Sequence, residues 1–357
     1  MDNGNTCLQA AKNNRDDEFY TTYESIEDEL SHYTAQFRDR TVYCNCDDPY
    51  RSEFTRYFLR NFNALGLKRL ICTSYSGLPG TCRQLYLFSQ PDESGTAYLN
   101  AGHAYLLDVS DTGVSGRDLT EEETADFLRE PGRVTELSGN GDFRSPECLR
   151  FLDECDIVVT NPPFSLFREF VGTVMEHERK FLIIGGQNAL TYKEIFPLIR
   201  NGEVWTGYRF GEMKFRVPDS SAPRNTRYWV DEQGQKWRSL GNVMWLTNLD
   251  TVRRHEFLHL TKKYSGTEYQ KYDDYDAINV KTLADIPYDY DGIMGVPVTI
   301  LSRYNSEQFE IVGEANHGSD GDHDLFRPTV NGRILFKRIL IRNRMCIKEK
   351  TSGRTSA

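Results

Sequence analysis

The stretch Asp156-Ile157-Val158-Val159-Thr160-Asn161-Pro162-Pro163-Phe164 predicts a buried strand that ends in a rigid turn. Residues 157–160 are aliphatic or β-branched, which is typical of a short strand in the centre of a parallel sheet. Two successive prolines cannot continue a sheet ladder, so the strand is expected to end near Asn161. Ser165 is expected to cap a helix, because apolar residues recur on one face of the segment that follows. The stretch therefore predicts a strand–turn–helix unit of an α/β protein.

The segments upstream of this unit predict the start of the same sheet. Residues 41–46 form a short apolar run that Asp47-Asp48-Pro49 ends, and residues 68–73 form a second run. Between them, residues 53–65 carry apolar side chains at helical spacing, and Gly66 follows where a helix end favours glycine. Strand, helix and strand joined by short links are typical of a parallel sheet.

The same alternation continues after one interruption. Residues 83–109 contain short apolar runs separated by turn residues, which predicts a β-meander inserted into the α/β order. The further expected elements are helices that begin at Thr120, with Glu123 in a capping box, and at Ser145, strands over 134–137, 181–184 and 243–246, and a helix over 191–199 that Pro197 interrupts. The predicted fold class is therefore a doubly wound α/β sheet.

The composition of the 357-residue chain excludes several classes of protein. Apolar residues make up 38% and aromatic residues 12%, which is enough to fill a packed core and excludes a fully disordered chain. No apolar run approaches the ~20 residues of a membrane span, and no secretory signal is visible, so the cytoplasm is the expected compartment. The eight cysteines lack the spacing of metal ligands, which predicts buried thiols and no metal.

The net charge of −10 argues weakly against nucleic acid as a partner, but the charges are unevenly distributed. Basic residues exceed acidic ones over 161–263, where they interleave with aromatic side chains. A second basic group closes the chain and comprises Arg333, Lys337, Arg338, Arg342, Arg344, Lys348, Lys350 and Arg354. An acidic protein with a locally basic face can bind a polyanion, although solvated surfaces produce the same pattern.

The residues at 161–164 suit the chemistry of an aromatic exocyclic amine. Such an amine is a poor nucleophile because its lone pair is delocalised into the ring. The side-chain oxygen of Asn161 and the backbone carbonyl of Pro162 can accept its two hydrogens and localise that lone pair. Pro162 and Pro163 hold the carbonyl in place before substrate arrives, and Phe164 can stack on a base taken out of its duplex.

Several segments together resemble the EcoRI-type family of adenine-specific DNA methyltransferases, from about residue 15 to about residue 345. They are Asp17-Glu18-Phe19-Tyr20-Thr21, Val42-Tyr43-Cys44-Asn45-Cys46-Asp47-Asp48-Pro49, Gly141-Asp142-Phe143-Arg144-Ser145, Asn161-Pro162-Pro163-Phe164-Ser165-Leu166-Phe167, Trp245-Leu246-Thr247-Asn248-Leu249 and Met294-Gly295-Val296-Pro297. The resemblance implies a Rossmann-like, S-adenosylmethionine-dependent methyltransferase sheet with an appended DNA-recognition region. It implies methyl transfer to the N6 amine of adenine in double-stranded DNA, of the restriction–modification type, by a monomer without a metal.

The resemblance also assigns cofactor contacts residue by residue. Phe19, Tyr20 and Thr21 would hold the methionine end of S-adenosylmethionine. Asp47, Asp48 and Pro49 would form the turn that approaches it, and Asp142 and Phe143 would contact its adenine. This chain departs from the pattern in two places, because Tyr50-Arg51-Ser52 replaces the usual glycines and no acid follows the second strand for the ribose.

The expected domains are a flexible N-terminus over 1–15, a catalytic domain over 16–250 and a DNA-recognition region with a basic tail over 251–357. Arg338, Arg342 and Arg344 are the expected DNA-binding residues, because they lie in and after strand-like runs that could hold them on one surface. They could instead pair with the acidic stretch 268–324 and only stabilise the fold. Two other functions stay open at this point, namely methylation of RNA or of a protein glutamine, and DNA binding without catalysis.

Overall fold

The structure is a computed structural model that describes residues 20–76, 103–217, 223, 226–315 and 327–346. Several predictions lie outside these residues: the N-terminal segment 1–15, Phe19, the side chain of Tyr20, most of the predicted meander (83–102), Lys348, Lys350 and Arg354. The described chain divides into two compact units. Unit one takes its residues from 1–189 and 207–249, and unit two from 190–206 and 250–357.

Unit one is built on a mixed sheet. Its strands are β1 (Tyr20–Thr21), β2 (Thr41–Cys44), β3 (Arg69–Thr73), β4 (Tyr105–Val109), β5 (Val134–Glu136), β6 (Ile157–Thr160), β7 (Lys180–Gly186), β8 (Trp205–Arg216), β9 (Tyr228–Val230) and β10 (Lys236–Thr247). The order across the sheet is β1-β8-β10-β7-β6-β2-β3-β4-β5, with β9 paired to β10. The four central strands β7, β6, β2 and β3 are parallel, and β10 and β4 flank them antiparallel. The sheet confirms the predicted α/β class.

Helices cover both faces of this sheet. They are α1 (Tyr23–Leu30), α2 (Thr34–Phe37), α3 (Glu53–Arg60), α4 (Phe62–Leu65), α5 (Glu121–Arg129), α6 (Pro146–Glu154) and α7 (Phe167–Glu176). The side chains of α1, α3 and α5 join Val42, Cys44 and Trp245 in one core. On the other face, Tyr43 of β2 contacts Phe151 of α6 with ring centroids 6.1 Å apart. Alternate residues of each central strand therefore point into two cores, as burial on both faces requires.

Local signals in the sequence locate the helix ends correctly. Gly66 ends α4 with φ +62°, a conformation that favours glycine. Thr120 and Glu123 form the predicted capping box of α5. The Ser145 hydroxyl accepts from the backbone N–H of Cys148, and Pro146 occupies the first turn of α6.

Three predicted boundaries are wrong. Ser165 does not cap a helix, because residues Phe164–Leu166 form a 3-10 turn and α7 begins at Phe167. Pro197 does not interrupt a helix over 191–199; it lies in the first turn of a short helix α8 (Phe196–Arg200), where its missing N–H costs no hydrogen bond. The strand predicted from the apolar run 41–46 is β2, and it ends at Cys44, because residues 45–48 already turn toward α3.

Unit two contains a smaller sheet. Its strands β11 (Ile278–Asn279), β12 (Met294–Pro297), β13 (Phe309–Ala315) and β16 (Arg338–Asn343) are arranged in the order β11-β12-β16-β13. Strands β14 (Thr329–Val330) and β15 (Arg333–Ile334) form a separate hairpin. The 3-10 turns Val252–His255, Leu283–Asp285 and Val298–Arg303 connect these strands. Within the described residues of both units, no helix has the length and apolar character that crossing a membrane requires.

Candidate active site

The turn 161–164 lies at the carboxyl end of β6, where doubly wound sheets bind their ligands. Asn161 follows the buried strand directly, Pro162 is buried, and Pro163 adopts φ −56° and ψ 122°. The Pro163 carbonyl accepts a hydrogen bond from the backbone N–H of Leu166 at 3.0 Å. The two prolines and this bond therefore fix the backbone around the Pro162 carbonyl without help from a ligand.

The Asn161 side chain is held by the N-terminal part of the described chain. Its Nδ2 donates to the Thr21 hydroxyl at 3.4 Å, which joins positions 140 residues apart in the sequence. Thr21 is itself buried and pairs with Phe215 of β8. Because the amide nitrogen is directed to Thr21, the acceptor oxygen points away from Thr21 within the amide plane.

Asp47 connects the carboxyl ends of three parallel strands. Its carboxylate accepts hydrogen bonds from the Thr160 hydroxyl at the end of β6 and from the Ser52 hydroxyl, both at 2.6 Å. Its backbone N–H donates to the carbonyl of Thr73 at the end of β3. Burial raises the pKa of Asp47 to about 6, against the lowering effect of the two hydroxyls. Asp47 therefore sets the distance between the strand ends and is fully engaged in doing so.

Asp48 and Pro49 shape the turn between β2 and α3. The Asp48 carboxylate accepts from the Tyr50 backbone N–H at 2.8 Å, and its carbonyl accepts from the N–H groups of Arg51 and Ser52. Burial raises the pKa of Asp48, and the bond from Tyr50 opposes that rise. The side chain of an aspartate therefore stabilises this turn. The resemblance to the methyltransferases had implied glycines at this place.

The loop 139–143 closes on the end of β3. Gly141 has φ +73°, and a Cβ atom built there would lie 1.9 Å from the Ser74 carbonyl oxygen. The Ser76 backbone N–H donates to the Asn140 carbonyl at 2.7 Å. Only glycine permits this approach, which carries Asp142 to the carboxyl edge of the sheet.

Asp142 and Phe143 are both engaged within the protein. The Asp142 carboxylate accepts from Arg144 at 2.9 Å and 2.7 Å, and this contact lowers its pKa. Arg144 also binds Glu169 of α7. The Phe143 ring is buried edge-on against Phe170, with centroids 5.2 Å apart. Burial, and after it the charges of neighbouring groups that include Asp47 and Asp142, raises the pKa of the Cys46 thiol.

The structure therefore brings Thr21, the 47–49 turn, loop 139–143 and the 161–164 turn to one edge of unit one. Sequence reasoning missed the residues that connect these segments, which are Ser52 and Thr160 through their hydroxyls and Thr73 and Ser76 through their backbone groups. Ser74 is completely buried and accepts from the Tyr105 backbone N–H through its hydroxyl. Position was the available signal for Thr73 and Thr160, which end predicted central strands, and for Ser76, which comes soon after one, whereas Ser52 precedes the predicted helix over 53–65.

The acids, histidines and cysteines of the described segments show no metal cluster. No group of three such side chains in residues 20–76, 103–217, 226–315 or 327–346 is placed to hold an ion. The six described cysteines are free thiols, and four of them are buried. Burial raises the pKa of the Cys44 and Cys155 thiols, which makes them unreactive core residues.

The predicted DNA-binding arginines lie on β16 of unit two and just after it. The Arg342 guanidinium pairs with Glu310 at 3.1 Å. The Arg338 guanidinium donates to the Asn279 side chain and to the backbone carbonyls of the two residues that precede the strand. Arg344 is exposed, and its backbone N–H donates to Gln308. Glu310, the partner of Arg342, lies in the acidic stretch 268–324. Arg342 therefore has a structural role.

Unit two also buries a carboxyl group. Glu314 is only 7% exposed, and burial raises its pKa to about 7 despite the opposing charge of Lys337. Lys337 donates to the Thr191 hydroxyl at 2.6 Å. A carboxyl group whose pKa is raised by folding binds its proton more tightly in the folded state. Its contribution is therefore greatest below its unfolded pKa and is lost as the pH rises toward 7.

We expect Glu314→Gln to flatten this pH dependence. Between pH 5 and pH 7 the unsubstituted protein should lose on the order of 1–2 kcal/mol of stability that the variant keeps. Denaturant unfolding at several pH values measures the difference. Glu310→Gln, on the same strand but pairing with Arg342 at the surface, is the matched control and should leave the slope unchanged. Parallel pH profiles for the protein and Glu314→Gln would contradict the prediction.

Comparison with known proteins identifies relatives along nearly the whole chain. The family model for the adenine-specific methyltransferase EcoRI matches residues 7–344. The chain is 42% identical over 344 residues to the type II methyltransferase M.EcoRI of Escherichia coli, covering 95% of this chain and 97% of that protein. It is 35% identical to the type II methyltransferase M.MgeORF184P of Mycoplasma genitalium, covering 85% of this chain and 84% of the relative. It is 34% identical to M.MpnI of Mycoplasma pneumoniae, covering 85% and 83%.

Proposed function

The chain belongs to the EcoRI family of adenine-specific methyltransferases, and on that premise we propose that it transfers a methyl group from S-adenosylmethionine to the N6 amine of adenine in double-stranded DNA. It is an enzyme of the restriction–modification type, as its type II relatives are. The observation that carries the proposal is the Asn161 amide, which Thr21 orients beside two consecutive prolines at the carboxyl edge of β6.

Asn161 and Pro162 supply two acceptors for the adenine amine. The amide oxygen of Asn161 and the backbone carbonyl of Pro162 would accept the two N–H groups and draw the nitrogen lone pair out of the ring. Both acceptors are held in advance, one by Thr21 and the other by the proline pair, so little reorganisation is needed when the amine arrives. With its lone pair localised, the amine nitrogen would be the nucleophile, and the proton that it loses would pass by way of these acceptors to solvent.

Phe164 would hold the adenine ring in this position. Its side chain is half-buried and packs against the core of unit one, so the ring is anchored at one side. An adenine inside a duplex cannot reach the acceptors, and the base must leave its stack first. Stacking on Phe164 would offset part of the cost of extrusion.

The residues around this turn fit S-adenosylmethionine. Gly141 leaves room for a close backbone approach at Ser74, and the carboxylate of Asp142 is held ionised by Arg144, which suits an acceptor for the amine of the cofactor's adenine. Tyr20 and Thr21 would lie toward the methionine end, with Phe19 preceding them. When bound, the cofactor supplies a methyl group on a sulfonium sulfur, which leaves as a neutral thioether.

Asp47 and Asp48 would act as positioning residues for the cofactor. The Asp47 carboxylate accepts hydrogen bonds from two hydroxyls, and the Asp48 carboxylate accepts one from the Tyr50 backbone N–H. Both carboxylates therefore bond within the protein. Pro49 is buried beneath that turn. Of the predicted cofactor residues, Phe143 has its ring in the core, so its contact with the cofactor's adenine would come from a ring edge or the backbone.

Sequencing of modified bases in DNA from cells that express the chain tests the function directly. We expect N6-methyladenine at one sequence motif, together with transfer of label from S-adenosylmethionine to duplex DNA in vitro. RNA and a glutamine-containing peptide serve as alternative substrates in the same assay. Labelling of either of these, with unlabelled DNA, would overturn the proposal.

The arginines of β16 provide a prediction on DNA affinity. Replacing Arg338, Arg342 and Arg344 together by glutamine should weaken binding to all duplexes alike, since contacts to phosphate carry no base information. The dependence of log affinity on log salt should flatten by up to ~0.9 per lost contact. Glu310→Gln breaks the Arg342 pair but keeps the positive charge, so it should leave the salt slope unchanged. An unchanged slope with a lowered melting temperature in the triple variant would show that these arginines are structural.

A further inference from the structure

Strand β8 presents two cations on the face opposite its core side chains. Met213, Phe215 and Val217 are buried, with 7%, 0% and 4% exposure. Side chains alternate along a strand, so Lys214 and Arg216 project from the other face. Lys214 is exposed, and the Arg216 side chain is 43% exposed.

Strands β9 and β10 add two tryptophans beside these cations. Trp229 and Trp237 are register partners, and their rings are parallel to within 6° with centroids 6.2 Å apart. Tyr228 packs against the core, so its neighbour Trp229 points away from it and is 36% exposed. Lys214 Nζ lies 5.9 Å from the centre of the Trp229 ring, and the Arg216 guanidinium 5.7 Å from that of Trp237. We name Lys214, Arg216, Trp229 and Trp237 the cation–tryptophan face.

Strand β8, which carries the cations, pairs with the segment that contains Thr21. Arg216 is the register partner of Tyr20, and Phe215 that of Thr21. Thr21 accepts the hydrogen bond from the Asn161 amide. The cations of the face are therefore on the strand that is directly paired with the segment that orients Asn161, within unit one.

The face is held rigid by polar contacts of its own. The indole N–H of Trp237 donates to the Asp231 carboxylate at 2.7 Å, and Asp231 also accepts from the backbone N–H groups of Gln233 and Gln235. The hairpin turn thus fixes the ring of Trp237, on which Arg216 lies. A fixed aromatic ring is a better stacking platform than a mobile one, because less conformational entropy is lost on binding.

We propose that the cation–tryptophan face binds the DNA beside the extruded adenine, with Trp229 stacking on an unstacked base and Lys214 and Arg216 contacting the adjoining phosphates. The inference rests on the proposed function and adds a site on the catalytic unit, separate from the arginines of β16. Aromatic rings interleaved with cations suit a nucleic-acid strand, since every base has a stacking face and every nucleotide a negative charge. Arg216 also pairs with Glu53 at 3.7 Å, so the exposed Lys214 would be the main phosphate contact of the face.

The two parts of the face can be tested separately by titration of a duplex that carries the methylated motif. Trp229→Ala should weaken binding about tenfold while the salt slope stays the same, since a stacking contact releases no counterion. Trp229→Tyr should recover most of that loss. Lys214→Gln should flatten the salt slope by up to ~0.9. Affinity for S-adenosylmethionine and the melting temperature should not change in any of the three.

Two matched variants control for general surface effects. Val230→Ala removes an apolar side chain that is 52% exposed and follows Trp229 on β9, and Lys68→Gln removes an exposed cation just before the amino end of β3. Both should bind DNA like the unsubstituted protein. If the protein methylates DNA and Trp229→Ala and Lys214→Gln bind DNA unchanged, the inference is wrong and the proposed function stands. If the unsubstituted protein methylates no DNA, the proposed function fails, and the inference fails with it.

Discussion

Asn161→Ala is expected to remove methyl transfer while leaving S-adenosylmethionine binding nearly intact. The alanine lacks one of the two acceptors that localise the lone pair of the adenine amine. The loss of one positioned acceptor costs ~3 kcal/mol or more of transition-state stabilisation, which slows transfer on the order of a hundredfold. Single-turnover transfer of labelled methyl groups measures the chemical step, and calorimetric titration measures cofactor affinity.

Two further variants separate the acceptor role from a structural one. Thr21→Val removes the hydroxyl that orients the Asn161 amide, and it should slow transfer by about tenfold because the acceptor itself remains. Asn201→Ala, an exposed asparagine that donates to Glu203 in unit two, should have no effect. Full turnover by Asn161→Ala would refute the assigned mechanism, whatever the result for Thr21→Val.

The second large effect is expected for Gly141→Ala. The added Cβ would lie 1.9 Å from the Ser74 carbonyl oxygen, and the backbone has φ +73°. The loop must therefore move away from β3, and the free energy of unfolding should fall by about 1–3 kcal/mol. Asp142 moves with the loop, so affinity for S-adenosylmethionine should fall by about tenfold or more, since one misplaced hydrogen-bond partner costs that much. Denaturant unfolding and cofactor titration give the two values.

Gly139→Ala is the control for this prediction. A Cβ atom at position 139 would lie 3.5 Å from the Glu147 carboxylate, an ordinary contact, in the same loop. This variant should unfold and bind cofactor like the unsubstituted protein. Equal stability and equal cofactor affinity of the two alanine variants would show that the approach of loop 139–143 to β3 is not required.

The turn 161–164 and the central strands could be predicted from the sequence because their signals are local. The strands β2, β3, β6 and β7 are largely apolar, since burial on both faces favours apolar side chains, and their hydroxyl and charged side chains other than that of Tyr43 lie at the strand ends. The ends of α4, α5 and α6 depend on one or two adjacent residues, and each was placed correctly. The prediction that Ser165 caps a helix was wrong, because Pro163 is followed by the 3-10 turn Phe164–Leu166. A prediction from the capping residue alone does not foresee such a turn.

The contacts between segments could not be predicted, because they depend on which strands are neighbours. The bond from Thr160 to Asp47 exists because β6 lies next to β2, although the two residues are separated by 113 positions. The bond from Asn161 to Thr21 and the cation–tryptophan face likewise follow from strand pairing. The resemblance to the family indicated that these segments belong to one site. It did not predict the hydrogen bonds between them.

By itself, then, the sequence determined the α/β class and the strand-to-turn transition at Asn161, and it supplied the candidate residues for the chemistry, since each of these signals lies within a few consecutive positions. Only the tertiary structure decided that Asp47 joins the ends of neighbouring strands, that the Phe143 ring is buried in the core, and that Arg342 is paired with Glu310. The physical reason is the same in each case. A side chain's role depends on the partners that burial and strand order bring to it, and those partners are distant in the chain.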